Sequence, residues 1–312
     1  MRVVILESVF SGGIGDPALA RRLAPEARQM VMAMLEDSIA EAAIEPRVPV
    51  TADLADLIPA VYRVVSSPGE PLADFWRRAT ADADAVIPIA PETGGALARM
   101  TRLLQASGRR LLGSSDVAVR IAGSKARTAA VLRQAGVAVA PTWASGDALP
   151  DHAGSWLLKP DDGADCEGIQ LLRTVPARIP EGQVLQPVLP GCSCSLCLLI
   201  TTDRVTVLGC NEQQINGDGE TFRYHGSQVA VRPVLARHRQ LADAIHMAIP
   251  GLYGFVGVDF LDADGDLTVL EVNPRPTTSF AGLRAATGTG LGVHLQTLLR
   301  SSTVPETQKV AP

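Results

Sequence analysis

The stretch GLYGFVGVDFLDADGDLTVLEVNPRPTTSFAG, residues 251–282, decides how the chain is read. An apolar run from Phe255 to Leu261 is interrupted by one acid, Asp259. The polar segment Asp262-Ala-Asp-Gly-Asp266 then reverses the chain, and a second apolar run from Leu267 to Val272 leads into Glu271, Asn273 and Arg275. Two β-rich runs joined by a short Asp/Gly turn predict an antiparallel hairpin. Alternation along a strand puts Glu271 and Asn273 on one face. Asp259 depends on the turn. A two-residue Asp264-Gly265 loop sets position 259 opposite 270 and turns its side chain away from Glu271; an odd loop, Asp264 to Asp266, sets it opposite 271. Carboxylates inside apolar strands are costly unless something pairs with them. Asp, Glu and Asn oxygens beside an arginine suit Mg²⁺ carrying phosphate, and the competing reading is a half-buried hairpin with its acids in water. Asp262-x-Asp-x-Asp is not a calcium loop, because Leu267 and Asn273 stand where the required Gly and Glu belong.

The 312 residues allow two or three domains with substantial cores. With 46% apolar and 20% charged residues the composition is that of a globular chain. A net charge of -5 and the lack of a basic run argue against nucleic acid as a partner. No apolar stretch reaches the roughly 18 residues of a membrane span. The N-terminal apolar run, ended by Glu7, is too short for a secretory signal, so a cytoplasmic location is expected.

Among five cysteines, Cys192, Cys194 and Cys197 invite a zinc reading. They run into a strand that sends Cys197 to the face opposite the other two, and no second Cys/His pair follows, so buried strand thiols are expected. The chain has 25 Arg but only three Lys, at 125, 159 and 309. A lysine kept in so arginine-rich a chain points to a need for a compact ammonium group.

Taken in order, strand 3–6 ends at Glu7 and the loop Ser11-Gly-Gly-Ile-Gly15. An amphipathic helix is expected from about Ala24 to Ala43, since Ala27, Met30, Val31, Met34, Leu35 and Ile39 recur at three and four. Strands at 48–50, 61–65 and 85–89 alternate with helices at 71–80 and 94–107, which predicts a parallel α/β sheet. Ligands bind beyond the carboxyl ends of such strands, where Glu7 and Glu92 fall. Lys125 stands near a helix start, a place that favours anions. Strand Trp156–Lys159 precedes a Gly-containing loop, 161–168, suited to close over phosphate; its acids are an objection that bound Mg²⁺ would answer. Gln186-Pro-Val188 links to strands at 194–200 and 204–210, then a polar stretch from Asn211 to Ser227, a helix at about 235–249, the opening hairpin, and a last helix at 290–300. The polar tail, 301–312, is expected to be disordered.

The ordered set of a helix-start lysine, strand-Lys-Pro with a Gly loop, Gln-Pro-Val-Leu before a glycine, and Asp…Glu-x-Asn-x-Arg resembles the ATP-grasp superfamily over roughly residues 113–300. Glu7-Ser-Val-Phe-Ser-Gly-Gly, Pro25-Glu-Ala-Arg-Gln-Met, Ala90-Pro-Glu-Thr and Glu271-Val-Asn-Pro-Arg-Pro-Thr-Thr-Ser are similar to the branch containing the tyramine–glutamate ligases of methanofuran-type cofactor synthesis. The resemblance implies an α/β chain, α+β in its C-terminal part. An N-terminal domain would span 1–112, a small central subdomain 113–188 with its lid at 161–168, and a C-terminal subdomain 189–300. Lys125 and Lys159 would contact ATP phosphates, Gly163 and Gly168 would belong to the lid, and the backbone of Gln186, Pro187 and Val188 would meet adenine. Asp259, Glu271 and Asn273 would hold Mg²⁺, or Mn²⁺ in its place, with Arg275 and Lys159 at the reacting phosphoryl group. The implied reaction is ADP-forming amide synthesis through an acyl phosphate, from small carboxylate and amine substrates such as glutamate and a tyramine- or tyrosine-like amine. Rivals are a dipeptide or glutamate-chain ligase and a non-catalytic ATP-binding regulator. Arg223, Tyr224, His225 or Arg232 would hold a substrate carboxylate and Glu7 or Glu92 an ammonium group; a homodimer stays open. Many relatives carry an acid soon after the hinge to bind ribose, whereas Gly191-Cys-Ser-Cys-Ser195 has none, leaving serine hydroxyls as the groups that could substitute.

Overall fold

A computed structural model describes residues 1–151, 153–163, 168–217 and 222–301. In chain order the elements are β1 (Arg2–Glu7), α1 (Pro17–Ile39), β2 (Glu45–Val50), β3 (Arg63–Val65), α2 (Leu72–Ala79), β4 (Ala85–Ile89), α3 (Ala96–Ala106), α4 (Asp116–Ala122) and α5 (Lys125–Gln134). There follow β5 (Trp143–Ala144), β6 (Trp156–Pro160), β7 (Gln170–Leu172), β8 (Gln183–Pro187), β9 (Cys192–Ile200), β10 (Val205–Gly217), β11 (Phe222–Arg232) and α6 (Ala236–Ala248). The chain closes with β12 (Gly254–Ala263), β13 (Asp266–Asn273), α7 (Thr278–Ala281), α8 (Leu283–Thr287) and α9 (Leu291–Arg300).

Three sheets result, ordered β3-β2-β1-β4, β5-β8-β6-β7 and β11-β10-β9-β12-β13. The first is parallel, as βαβ crossovers require. The other two are antiparallel, and β9 lies in the middle of the largest. β1 is apolar throughout because both its faces are covered: Val3 and Ile5 join the core beneath α1 and α9, Val4 and Leu6 the core under α2 and α3. On β9, Cys194, Leu196 and Leu198 pack toward α6, whereas Cys197 and Leu199 face the N-terminal core. The described cysteines are free, and Cys194 and Cys197 point to opposite cores as alternation requires. Cys166 and the tail from 302 onward lie outside the described residues.

Two expectations need correction. Helix α1 starts at Pro17 rather than near Ala24. Asp16 Oδ1 accepts the Ala18 N–H at 2.8 Å and Pro17 occupies the first helical position, where a missing N–H costs nothing. The first turns are largely exposed, so the apolar periodicity begins only at Ala27. The polar stretch from Asn211 is strand: β10 continues to Gly217 and pairs with β11, which the sequence reading missed. Its polar residues fall on both faces of the sheet, Gln213 toward Ser193 and Asp259 and Glu212 toward Arg232, and register shifts between Cys210 and Glu212 and between Gln213 and Ile215 blur the alternation. No helix of the described residues is long and apolar enough to cross a membrane.

Candidate active site

The β12–β13 hairpin combines features of both predicted registers. Ala263 pairs with Asp266 across a two-residue turn, with Asp264 at φ 54° and Gly265 at φ 104°. A bulge between Asp259 and Phe260 on the β12 side then absorbs Leu270, so Asp259 lies opposite Glu271 after all. Asp259, Glu271 and Asn273 line one cleft of about 290 Å³ with Lys125, Lys159 and Arg275.

The carboxyl groups press on each other. Burial and the neighbouring Glu271 carboxylate push Asp259 well above the usual carboxylate range. Burial opposes ionisation of Glu271 too, but Lys125, whose Nζ lies 3.0 Å from Glu271 Oε2, together with the hydrogen bond from Asp259 and the charge of Lys159 outweighs it and holds Glu271 well below the usual carboxylate range. Burial pulls Lys125 down while Glu271 more than offsets this, leaving it raised. Asn273 Nδ2 donates to one Asp259 oxygen at 3.3 Å and Gln213 Nε2 to the other at 3.0 Å. Two crowded carboxylates and an amide oxygen are a hard donor set that fits a Mg²⁺ ion. Among the described residues no group of three or more His, Cys, Asp and Glu side chains is placed for a metal. A cation here would thus draw its remaining ligands from phosphate and water, as Mg²⁺ commonly does.

Asp161 and Asp162, the described acids of the loop at 161–168, have partners of their own. Asp161 accepts from Ala126 N at 2.9 Å and from Ser124 Oγ at 2.7 Å, so a carboxylate of the chain itself occupies the α5 N-terminus. That end of α5 is therefore not the free anion site expected; Lys125 reaches the cleft by its side chain, donating to the Gly163 carbonyl at 2.6 Å. Asp162 accepts from Gly94 N at 2.8 Å, and its carbonyl from Thr93 Oγ1 at 3.2 Å. Bound Mg²⁺ is not needed to account for either acid. Gly168 has φ 69°, and a Cβ there would meet the Pro160 ring at 3.0 Å. Residues 164–167 of the expected lid lie outside the described residues.

Gln186 is buried in β8; its Nε2 donates to Thr142 Oγ1 at 2.9 Å, while its Oε1 has no donor among the described residues. Val188 N is committed to the Ser155 carbonyl at 2.9 Å, so this residue offers the cleft a surface rather than a free N–H. Pro187 and Val188 do line the cleft.

The expected substrate residues divide. Tyr224 lines the cleft, and its hydroxyl meets Ser227 Oγ at 2.9 Å. His225, one residue on, is exposed and outside the cleft lining, as strand alternation requires. Arg232 stands opposite Cys210 and bridges Glu212 at 3.3 Å and Asp262 at 3.5 Å, lining a separate hollow. The expectation that it reaches the cleft is overturned by that register. The Arg223 side chain is outside what is described. Glu92 is not open to an ammonium group, since it accepts from Arg275 Nε at 3.0 Å and Nη2 at 2.9 Å. Glu7 is buried, takes the Phe10 N–H at 2.8 Å, and burial raises it to about 7. It lines a small side cavity with Glu26, Met30 and Arg275, and Glu26 also lines the main cleft. Glu26 and Gln213 were missed as site residues, whereas Ser193 and Ser195, whose hydroxyls could stand in for the acid absent after the hinge, do line the cleft.

Comparison with known proteins follows the same lines. A family model described as an ATP-grasp domain matches residues 122–279, just over half of the chain, and one described as a pre ATP-grasp 3 domain matches 44–119. A tyramine–L-glutamate ligase of Methanocaldococcus jannaschii is 27% identical over 203 residues, 64% of this chain and 58% of that ligase's length. An ATP-grasp superfamily protein of Archaeoglobus fulgidus superposes with a TM-score of 0.74 at 24% identity, over 97% of this chain and 89% of its own. The D-alanine–D-alanine ligase of Bacillus anthracis, solved with ATP, gives 0.63 at 14% identity, over 96% of this chain and 97% of its own. These two likenesses show the fold.

Proposed function

The chain belongs to the ATP-grasp family, and we propose that it is an ATP- and Mg²⁺-dependent ligase that joins a carboxylate to an amine through an acyl phosphate. Glutamate and an aromatic or small primary amine of the tyramine or tyrosine kind are the substrates this reading favours, by analogy with the curated relative. The observation that carries it is the pairing of Asp259 with Glu271 beside Asn273, Lys125, Lys159 and Arg275 in one cleft. A chain that only sensed a nucleotide has no need of two crowded carboxylates on apolar strands. The division at 1–112, 113–188 and 189–300 belongs to the same proposal.

In this reading Asp259, Glu271 and Asn273 hold the cation, which supplies charge neutralisation for the phosphates. Lys125 and Lys159 hold phosphate oxygens, Lys125 letting go of Glu271 as it does so. The unpartnered Gln186 Oε1 accepts from the amino group of adenine, against Pro187 and Val188. A carboxylate oxygen of the first substrate attacks the γ-phosphorus; the new O–P bond forms as the bond to ADP breaks. Arg275, held in place by Glu92, faces the charge on the transferred group. The amine nitrogen then attacks the acyl carbon, the bond from that carbon to the phosphate oxygen breaks, and the departing phosphate takes the proton the nitrogen loses. Gly163 and Gly168 let the loop close over the site, keeping water from the acyl phosphate. Tyr224 borders the substrate end; Glu26, which lines both the cleft and the side cavity with Glu7, is the acid placed for the amine.

The test is ADP and phosphate release from Mg-ATP with glutamate and a panel of amines including tyramine and tyrosine. Amine-dependent turnover abolished by Glu271→Ala is expected. Nucleotide binding without turnover on any carboxylate and amine pair would overturn the ligase reading.

A further inference from the structure

We infer that Asp162 is a positioning residue for Arg275, acting through the turn that carries Glu92. The inference rests on the ligase reading above and goes further, to how three cations on separate elements come to face one reaction. Lys159 belongs to β6, Lys125 heads α5, and Arg275 lies two residues beyond β13. Their spacing is therefore set by whatever ties these elements together. Asp161, just after β6, ties it to α5 through Ala126 N and Ser124 Oγ. Asp162 turns the other way, to the N-terminal sheet.

Its Oδ2 accepts the Gly94 N–H at 2.8 Å, and its carbonyl accepts the Thr93 hydroxyl at 3.2 Å. The turn so gripped is short and of fixed shape. Gly94 and Gly95 stand at φ 61° and 69°, which glycine adopts without strain, and Gly95 N donates to the Glu92 carbonyl at 2.8 Å. Glu92 is thus inside the same closed turn, next to Thr93. Its carboxylate accepts from Arg275 Nε at 3.0 Å and Nη2 at 2.9 Å. A Cβ on Gly123 would touch the Glu92 Cγ at 3.4 Å, so the segment before α5 backs the stem of this acid. A shift of the turn is passed to Arg275 by charge-assisted hydrogen bonds that fix the plane of the guanidinium. Misplacement of a group that faces the reaction costs up to about 10²-fold in rate per ångström. A tie that served stability alone would show no link to Arg275 in turnover.

The experiment joins steady-state kinetics of amine-dependent ADP release to the Arg275 Nε–H signal of ¹⁵N-arginine-labelled protein, assigned by its loss in Arg275→Lys. Each variant is checked for folding by its thermal transition. Asp162→Ala should move that signal and lower kcat by about 10-fold, with the KM for Mg-ATP within about twofold of the wild type. Asp162→Asn, which keeps an acceptor oxygen for the Gly94 N–H, should restore most of the rate. In an Arg275→Lys background there is no guanidinium to position, and Asp162→Ala should lower the remaining kcat by less than about twofold. Thr93→Val removes only the second contact and carries the same test, at about threefold, should Asp162→Ala not fold. An equal loss in both backgrounds, an Asp162→Ala enzyme as fast as the wild type, or an unmoved Arg275 signal overturns the inference and leaves the ligase reading intact. The signal is read without turnover. A wild type inactive on every substrate pair therefore overturns the ligase reading, while the signal still decides whether Asp162 holds Arg275.

Discussion

Arg275, two residues beyond β13, and Glu92, in the turn after β4, are joined by a two-pronged ion pair whose side chains are only 11% and 7% exposed. It fastens the N-terminal sheet to the cleft across 183 positions of sequence. Removing one partner of a buried pair strands the other charge, at a cost of about 3–5 kcal/mol. Glu92→Ala should destabilise the protein by that order in urea unfolding. The double replacement Glu92→Met with Arg275→Met should recover much of the stability but none of the turnover. A double variant as active as the wild type would remove Arg275 from the chemistry.

Lys125 and Glu271 make a second such test with a different sign of readout. Nζ and Oε2 lie 3.0 Å apart in the described state, yet the proposed reaction draws Lys125 to phosphate. Lys125→Met should therefore raise the KM for Mg-ATP by tenfold or more, since a charge-assisted contact is worth about 1.5–3 kcal/mol. Lys125→Arg should not rescue it, because the planar guanidinium does not fit a site built for a point charge. Unchanged KM in Lys125→Met would mean the lysine serves only to hold Glu271 ionised.

Asp161 anchors the chain just after β6 to α5. Its carboxylate takes the Ala126 N–H and the Ser124 hydroxyl at the head of α5. Asp161→Ala should cost about 1–2 kcal/mol of stability, as a lost helix cap does. It should also free the loop, seen as faster amide exchange of residues 161–163. Asp161→Asn, which keeps an acceptor oxygen, should restore most of both.

Most of the fold was legible because its signals are local. The apolar runs of β1 and β4, the Ser115 and Ser124 caps and the Asp264-Gly265 turn all follow from neighbours in sequence. The bulge at Leu270 was not, since one extra residue in a strand leaves no mark in composition, and it alone decides that Asp259 faces Glu271. Likewise β11 was hidden by its polar residues, of which Tyr224 lines the cleft while His225 and Arg232 lie outside it. The partners of Glu92 and Arg232 lie too far away in sequence for spacing to show them. Site chemistry could be read from residue types; which groups were already spoken for could not.

Glu7 offers a prediction in which pH does the work. Buried beside the Phe10 amide, it rises from an ordinary 4.5 to about 7. Between those values the folded chain keeps a proton on Glu7 that the unfolded chain has lost. Stability from this group is thus complete below about pH 4.5 and declines as pH rises toward 7. A shift of that size corresponds to about 3 kcal/mol at 1.36 kcal/mol per unit, an order-of-magnitude figure. Glu7→Gln mimics the protonated acid and has nothing to titrate. The stability difference between Glu7→Gln and the wild type, from denaturant unfolding at pH 5 and pH 8, should therefore move in favour of the variant by about 2–3 kcal/mol as pH rises. A difference that stays constant between the two pH values would show that Glu7 ionises in the fold as it does in water.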